Sequence, residues 1–293
     1  MKKEELLNQA LLEPDFLGVS GSRLYGNNRP TSDDDFRGFV MSPYQYLLGF
    51  EEFRDRDVPG ADHKVFSTKR FLELTMNGDP QLTELFFIPK DKIICETPIG
   101  ARVRALKNRI VSNVIFKRVV GYGYSEWRKA MGVKLEVDDL TMTEDDLINQ
   151  IRNLCGLEKQ DMDDIIDIIR SRKPRRIVSS KRNIGEKRKA EFEKFGFGVT
   201  SAAHAIRLSQ EVAELMLTGS ISFPRPNAQV LLDIRLGKYD IPQVTEMYEE
   251  AKIKAEEARP KSILPDKADR QYVENEYVEI TKEYLRSRSD FMT

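Results

Sequence analysis

Short apolar runs and amphipathic stretches alternate along the first hundred residues. The run Phe16-Leu17-Gly18-Val19-Ser20 is typical of a short buried strand. A second strand is predicted from about 34 to 41, and a third over 62–66. Three strands this close together in the chain predict one sheet.

Helix signals follow the third predicted strand. Apolar spacing predicts a helix over 68–76 that Ser67 caps. Asp79 stands before Pro80, an arrangement typical of the first turn of a helix, here over 81–87. Short strands at about 85–88 and 92–95 are predicted to close the sheet. Alternating strands and helices are typical of an α/β or mixed α+β fold.

Beyond about residue 96 the apolar residues recur at helical spacing. Helices are predicted over 98–131, 143–154, 159–171, 186–196, 199–218, 226–236, 241–259 and 267–288. We therefore predict an α+β (mixed α/β) chain, in which a mixed sheet domain over 1–95 is followed by a helical domain over 96–293.

The composition is that of a globular protein large enough for two cores. Of the 293 residues, 40% are hydrophobic and 32% are charged, and no apolar run has the length of a membrane span. The first residues lack a signal-peptide core, and Cys95 and Cys155 have no metal or redox spacing. These features predict a cytoplasmic protein. The net charge of −1 limits any attraction to nucleic acid to local surfaces.

The stretch GSRLYGNNRPTSDDDFRG joins a small-residue turn to a cluster of acids. Glycine lets backbone approach a ligand, so Gly21 and the Ser22 hydroxyl are suited to holding phosphate oxygens. Strand alternation predicts that Asp33 and Asp35 share one face and that Asp34 lies on the other. Two carboxylates on one face could bridge two metal ions, and Mg²⁺ favours such a site with substrate phosphates completing its shell. A solvated acidic turn is the alternative.

At these residues the chain resembles the DNA polymerase β-like nucleotidyltransferase superfamily. The fuller pattern is similar to one branch, the predicted nucleotidyltransferases of the RNA repair pathway in bacteria and phages. It consists of Gly21-Ser22, Tyr25-Gly26, Ser32-Asp33, Asp35 and Arg37-Gly38. The resemblance implies two Mg²⁺ or Mn²⁺ ions, a nucleoside triphosphate (NTP) substrate such as ATP, and an RNA acceptor in a bacterial or phage-infected cell.

The superfamily also implies a third carboxylate on a later strand, and Asp62 stands where the resemblance places it. His63 and Lys64 are unusual neighbours for a central strand. Nearby acids in a predicted loop are rivals: Glu51, Glu52, Asp55 and Asp57.

The resemblance continues into the helical part. It is carried by Lys187-Arg188, Phe195-Gly196-Phe197, Ala202-Ala203-His204-Ala205-Ile206-Arg207-Leu208, Leu217-Thr218-Gly219 and Ile234-Arg235-Leu236-Gly237. His204 and Arg207 lie one turn apart on a predicted helix and share a face. The resemblance implies that Arg207 contacts the triphosphate, whereas a bare pair of this kind is more often structural. Thr200 stands where the family pattern has a lysine.

Two further sets of basic residues are candidates. Arg37 either pairs with Asp34 or Asp35 or reaches a substrate phosphate. The segment 170–189 holds ten Lys or Arg against a single Glu, which is typical either of phosphate-backbone binding or of a solvated loop. Its candidate nucleic-acid contacts are Arg172, Lys173, Arg175 and Arg176.

These observations predict a metal-dependent nucleotidyltransferase that moves a nucleoside monophosphate (NMP) from an NTP to an acceptor hydroxyl and releases pyrophosphate. The acceptor implied by the resemblance is an RNA 3′ end. One alternative is nucleotidylation of a protein or small molecule, such as AMPylation, and another is a non-catalytic RNA-binding protein. The sequence leaves the nucleotide, the use of a template and the oligomeric state open.

Overall fold

The structure is a computed structural model that describes residues 3–57, 63–132 and 186–287. Residue contacts divide the chain into two compact units. The first comprises Met1–Trp127 together with Val199–Thr293, and the second comprises Arg128–Gly198. The predicted division of the chain at about residue 95 stays a prediction.

Five strands within the described residues form one mixed sheet in the order β3-β4-β2-β1-β5. They are β1 Phe16–Ser20, β2 Asp35–Val40, β3 Asp55–Asp57, β4 His63–Ser67 and β5 Ile93–Glu96. The central strand β2 pairs antiparallel with β1 and parallel with β4. This sheet, followed by a helical part, confirms the predicted α+β fold.

Several helices belong to the sheet region, and two of them begin at the capping residues that the sequence predicts. They are α1 Lys3–Leu12, α2 Gly21–Tyr25, α3 Tyr44–Leu47, α4 Thr68–Met76, α5 Pro80–Thr83, α6 Pro98–Ala105 and α7 Lys107–Ile110. The Ser67 side chain accepts a hydrogen bond from the backbone N–H of Arg70, and Asp79 accepts one from Leu82. Both predicted caps are confirmed, because a cap depends on neighbours along the chain.

Long helices follow the sheet. They are α8 Val114–Ala130, α9 Glu186–Phe195, α10 Val199–Thr218, α11 Ala228–Arg235, α12 Ile241–Ala258 and α13 Arg270–Ser287. Helix α9 belongs to the second unit, and α8 runs from the first into the second. Within the described ranges, no helix combines the length and apolar character that a membrane span requires.

One predicted strand boundary and one predicted strand need correction. The second strand begins at Asp35 rather than at 34. The strand predicted at 85–88 is wrong, because Glu84–Phe86 is a 3₁₀ turn. The Arg104 guanidinium donates to the carbonyls of Leu85 and Ile88 at 3.1 Å each, so this segment does not need a neighbouring strand.

Aromatic packing defines the two faces of β2. The Phe39 ring stacks between Phe16 and Phe71, with ring centroids 5.5 Å and 4.4 Å away. The next residue, Val40, packs instead into a small core with Leu7 of α1. Because side chains alternate along a strand, residues 35 and 37 share the face of Phe39, which looks toward α4.

Candidate active site

The candidate site is built on the corner where β1 passes into α2 next to the first residue of β2. Ser20 ends β1 and pairs with Asp35 in the sheet register. Gly21 has φ +63°, and a Cβ added to it would lie 2.2 Å from Asp35 Oδ2. Only glycine fits this position, both for its backbone angle and for the carboxylate beside it. The predicted phosphate turn and the predicted metal carboxylate therefore meet at one point.

Helix α2 is fixed at its other end by a second glycine. Gly26 has φ +76°, and its N–H donates to the Ser22 carbonyl. A Cβ at Gly26 would lie 2.7 Å from Pro224 Cβ, so the loop before α11 packs directly against this turn. The half-buried residues Gly21 and Ser22 are thus held in a five-residue helix with defined ends.

The three consecutive aspartates have different surroundings, although all three are exposed. Asp35 opens β2 and lies against Gly21. Asp34 forms an ion pair with Arg23 of α2. Asp33 precedes the strand, so strand alternation does not extend to it, and its place beside Asp35 stays a prediction.

The predicted third carboxylate, Asp62, lies outside the described residues. Strand β4 begins at the following residue, His63, which pairs with Phe36 in the parallel register. In the part of the chain that the structure describes, no three His, Cys, Asp or Glu residues cluster in a way that could hold a metal ion. The ligand set of Asp33, Asp35 and Asp62 therefore stays a prediction.

Arg37 shares the sheet face of Asp35 and approaches the helices. Burial raises the pKa of the Tyr122 hydroxyl in α8, as does Glu126, whereas the charges of Arg207 and Arg37 oppose the shift. Within the described residues, the Arg37 side chain forms an ion pair with neither Asp34 nor Asp35. The guanidinium is therefore available to a ligand on this face.

Side chains of α8 and α10 meet opposite the sheet. The Tyr122 and His204 rings pack edge to face with centroids 5.3 Å apart. Gln81 Nε2 lies 3.5 Å from the Tyr122 hydroxyl oxygen. His204 thus lies beside an aromatic ring, as a packing residue would.

Arg207 occupies a buried ionic cluster. Its side chain is 2% exposed, and Nη1 donates to Glu84 Oε1 at 2.9 Å and to Glu211 at 2.5 and 2.6 Å. The guanidinium carbon lies 3.6 Å from the centre of the Tyr25 ring. The Tyr25 hydroxyl donates to Glu84 Oε2 at 2.7 Å. Arg207 therefore links α10 to the last residue of α2.

The cluster extends toward the loop before α11. Arg225, also buried, has Nε 3.8 Å from Glu211 Oε1, and its Nη1 binds Glu214. Its backbone N–H donates to the Tyr25 carbonyl at 3.0 Å. Burial raises the pKa of Glu211 to about 7, although Arg207 opposes this shift. Burial likewise raises the pKa of Tyr25. The triphosphate contact implied for Arg207 stays a prediction, and in this structure carboxylates surround its guanidinium.

The sequence did not indicate the interior residues that fix the position of α2 and of the loop after it. Tyr25, Glu84 and Glu211 belong to the buried cluster, and the spacing of four between Arg207 and Glu211 is a signal that could have indicated their pairing. Arg235 donates to the carbonyl and side-chain oxygens of Asn27, in the loop that follows α2. No local signal indicates a contact across about two hundred residues.

The four basic candidates of the segment 170–189 also lie outside the described residues. They are Arg172, Lys173, Arg175 and Arg176. Their role in nucleic-acid binding stays a prediction.

Comparison with known proteins agrees with the predicted resemblance. Residues 12–152 match the RlaP family, the RNA repair pathway DNA polymerase beta family. An uncharacterized 38.9 kDa protein from the nrdC–mobD intergenic region of Enterobacteria phage T4 is 22% identical over 333 residues, covering 91% of this chain and 97% of that protein. No solved structure matches the chain. Residues 12–152 thus carry the signature of the RNA repair pathway DNA polymerase beta family of nucleotidyltransferases, which confirms the predicted family.

Proposed function

We propose that the chain transfers a nucleoside monophosphate from an NTP to the 3′ hydroxyl of an RNA. The observation that carries this proposal is the contact of Gly21 with Asp35, which joins a phosphate-binding turn to an exposed carboxylate. The acceptor oxygen forms a bond to the α-phosphorus, and the bond from that phosphorus to the pyrophosphate oxygen breaks. The hydroxyl proton leaves to solvent, and pyrophosphate is released.

The acidic residues of the corner suit a pair of Mg²⁺ or Mn²⁺ ions. Asp35 Oδ2 lies directly against Gly21, so a carboxylate oxygen stands beside the turn that is suited to phosphate. Asp33 and Asp35 would hold the ions, with Asp62 as the third ligand. Bound there, the ions supply charge neutralisation for the phosphates and the attacking oxygen.

The chain's own residues orient the triphosphate. The Ser22 hydroxyl and the N–H groups of the turn donate to the β- and γ-phosphates. Arg37 carries a positive charge on the face of Asp35 and pairs with neither neighbouring aspartate, so it is suited to a phosphate oxygen. Positioning and charge neutralisation supply most of the rate in reactions of this class.

The acceptor assignment has separate support. The matching family is described as part of an RNA repair pathway, which favours RNA. In this proposal residues 1–95 carry the catalytic groups, and residues 96–293 contribute to nucleotide and acceptor binding. The reaction takes place in the cytoplasm, where Cys95, a half-buried thiol whose pKa is raised by burial, stays reduced.

The test is incubation of the full chain with each α-labelled NTP, Mg²⁺ or Mn²⁺, and either total RNA or lysate protein. We expect label in RNA, lost on treatment with ribonuclease and absent with Asp35→Asn. Label in protein or in a small molecule instead of RNA would show that the acceptor is one of the alternatives and not RNA. No metal-dependent labelling of any fraction by the wild-type chain would contradict the transferase.

A further inference from the structure

A second concave surface lies between the start of α8 and the end of α12. It is a groove of about 910 Å³, separate from the corner of Gly21 and Asp35. Three chain segments line it: the first turn of α8, the last turn of α12 with the 3₁₀ turn after it, and the loop that leads to α13. All three segments belong to the first compact unit.

Positive side chains dominate the lining of this groove. Four exposed cations line it, namely Lys117, Arg118, Arg259 and Lys267. None of the four forms an ion pair within the part of the chain that the structure describes. The acids of the lining are Glu256 and Asp266, and Asp266 accepts a hydrogen bond from Asn113.

The turns of α12 that precede the groove show a different arrangement of charge. There Lys252 pairs with Glu249 at 3.3 Å, and Lys254 pairs with Glu250 at 3.7 Å. The exposed cations of the groove are therefore uncompensated, whereas Lys252 and Lys254 of the same helix pair with acids. A local excess of unpaired cations in a concave surface creates a positive electrostatic potential that attracts anions.

Hydrogen bonds hold the groove in shape. The Asn113 side chain donates to the Leu264 carbonyl at 3.1 Å and accepts from the Ser262 hydroxyl at 2.6 Å. Its backbone N–H donates to the Pro265 carbonyl at 2.8 Å. The loop that carries Lys267 is thereby fixed to the start of α8, next to Lys117. A ligand binds such a preformed surface without the cost of ordering it.

We propose that this groove binds the phosphodiester backbone of single-stranded RNA, a reading that rests on RNA being the acceptor of the proposed reaction. Cations on three segments can contact several phosphates in succession, whereas one small anion would use only two or three of them. Arg259 covers the buried Phe116 ring, with its guanidinium carbon 5.1 Å from the ring centre. No exposed ring lines the groove for base stacking, so binding is independent of sequence.

The position of the groove on α8 connects it to the candidate active site. Arg118 lies four residues before Tyr122, so the two side chains share one helix face about 6 Å apart along the axis. The Tyr122 ring packs against His204 of the candidate site, with ring centroids 5.3 Å apart. An RNA strand held in the groove would therefore extend along α8 toward these residues.

The test compares two double variants that each remove two positive charges. Lys117→Gln with Lys267→Gln alters the groove, and Lys252→Gln with Lys254→Gln removes two lysines of α12 that pair with acids and do not line the groove. Binding of two fluorescent single-stranded RNAs of unrelated sequence is measured by anisotropy from 50 to 200 mM salt, with EDTA and without NTP. We expect the groove variant to bind both RNAs about tenfold more weakly. The slope of the logarithm of the binding constant against the logarithm of the salt concentration should decrease in magnitude by about 1.4. The control should bind like wild type.

Equal loss in both variants, or none in the groove variant, would overturn the proposal. Because this assay contains neither metal nor NTP, it does not depend on transfer. If wild type binds RNA through the groove but transfers no nucleotide to it, the groove stands and the proposed function fails. If the groove variant binds and labels RNA as well as wild type does, the proposed RNA site is wrong and the proposed function is unaffected. Melting temperatures check that all variants fold.

Discussion

The guanidinium of Arg207 lies 3.6 Å from the centre of the Tyr25 ring, inside a cluster that also contains Glu84 and Glu211. Tyr25 is the last residue of the short helix that begins at Gly21. The turn proposed to bind phosphate is therefore positioned by a buried charge on a distant helix, in addition to the strand that leads into it.

Replacing Arg207 with Met should destabilise the fold strongly. It leaves Glu84 and Glu211 buried without their shared cation, and loss of one partner of a buried ion pair costs about 3–5 kcal/mol. The measurement is the free energy of unfolding from urea titration. Arg109→Met is the matched control, because Arg109 also pairs with an acid, Asp269, and lies over the Tyr272 ring, but is exposed. We expect a cost below about 1 kcal/mol there, and similar costs for both variants would contradict the buried cluster.

Replacing Gly21 with Ala should abolish nucleotidyl transfer. The new methyl group would collide with the Asp35 carboxylate, and the positive φ angle disfavours any side chain. The control is Gly121→Ala in α8, where an added Cβ meets nothing within 4 Å. That variant should be as active as wild type and more stable by about 0.5–1 kcal/mol. Full activity of Gly21→Ala would show that the corner is not the site.

The three aspartates should differ in their importance for catalysis. Asp33→Asn and Asp35→Asn each remove a proposed metal ligand and should lower the rate at least about 100-fold. Asp34→Asn removes only a partly exposed ion pair with Arg23 and should change stability by less than about 1 kcal/mol and activity little. Rates with each variant at several Mg²⁺ concentrations test this order. Equal losses at all three positions would contradict the assignment.

The stability of the protein should depend on pH through Glu211. Burial raises its pKa from 4.5 to about 7, so the folded state binds a proton more tightly than the unfolded state. This contribution to stability is complete below pH 4.5 and is lost as pH rises through 7. Relative to Glu211→Gln, wild type should therefore lose unfolding free energy between pH 5 and 8. The comparison uses urea titrations of both proteins at each pH, and a constant difference would refute the shifted pKa.

Local signals allowed much of the sheet region to be predicted. The caps at Ser67 and Asp79 depend on residues within one helical turn, and the β1 strand depends on a continuous apolar run. The error at 85–88 has a related cause: a short apolar run does not distinguish a strand from a helical turn, and the Arg104 contacts that decide it come from a later helix.

The candidate site was predictable only in part, for a physical reason. Gly21 and Asp35 meet because adjacent strands pair, which the strand pattern already implies. Glu84 is 123 residues from its partner Arg207, and Asn27 is 208 residues from its partner Arg235, and no periodicity records such contacts. A buried ion cluster was not expected from a lone His and Arg pair on one helix.

The contact between Tyr25 and Arg207 also limits which fragments of the chain can form the candidate site. A fragment that ends before α10 would keep every acidic residue of the proposed catalytic set, yet the Tyr25 ring and the Glu84 carboxylate would lose the cation that they both contact. The turn proposed to receive the triphosphate is thus completed only when α10 has packed against it. A nascent chain or a fragment that lacks α10 should therefore remain inert toward nucleotides.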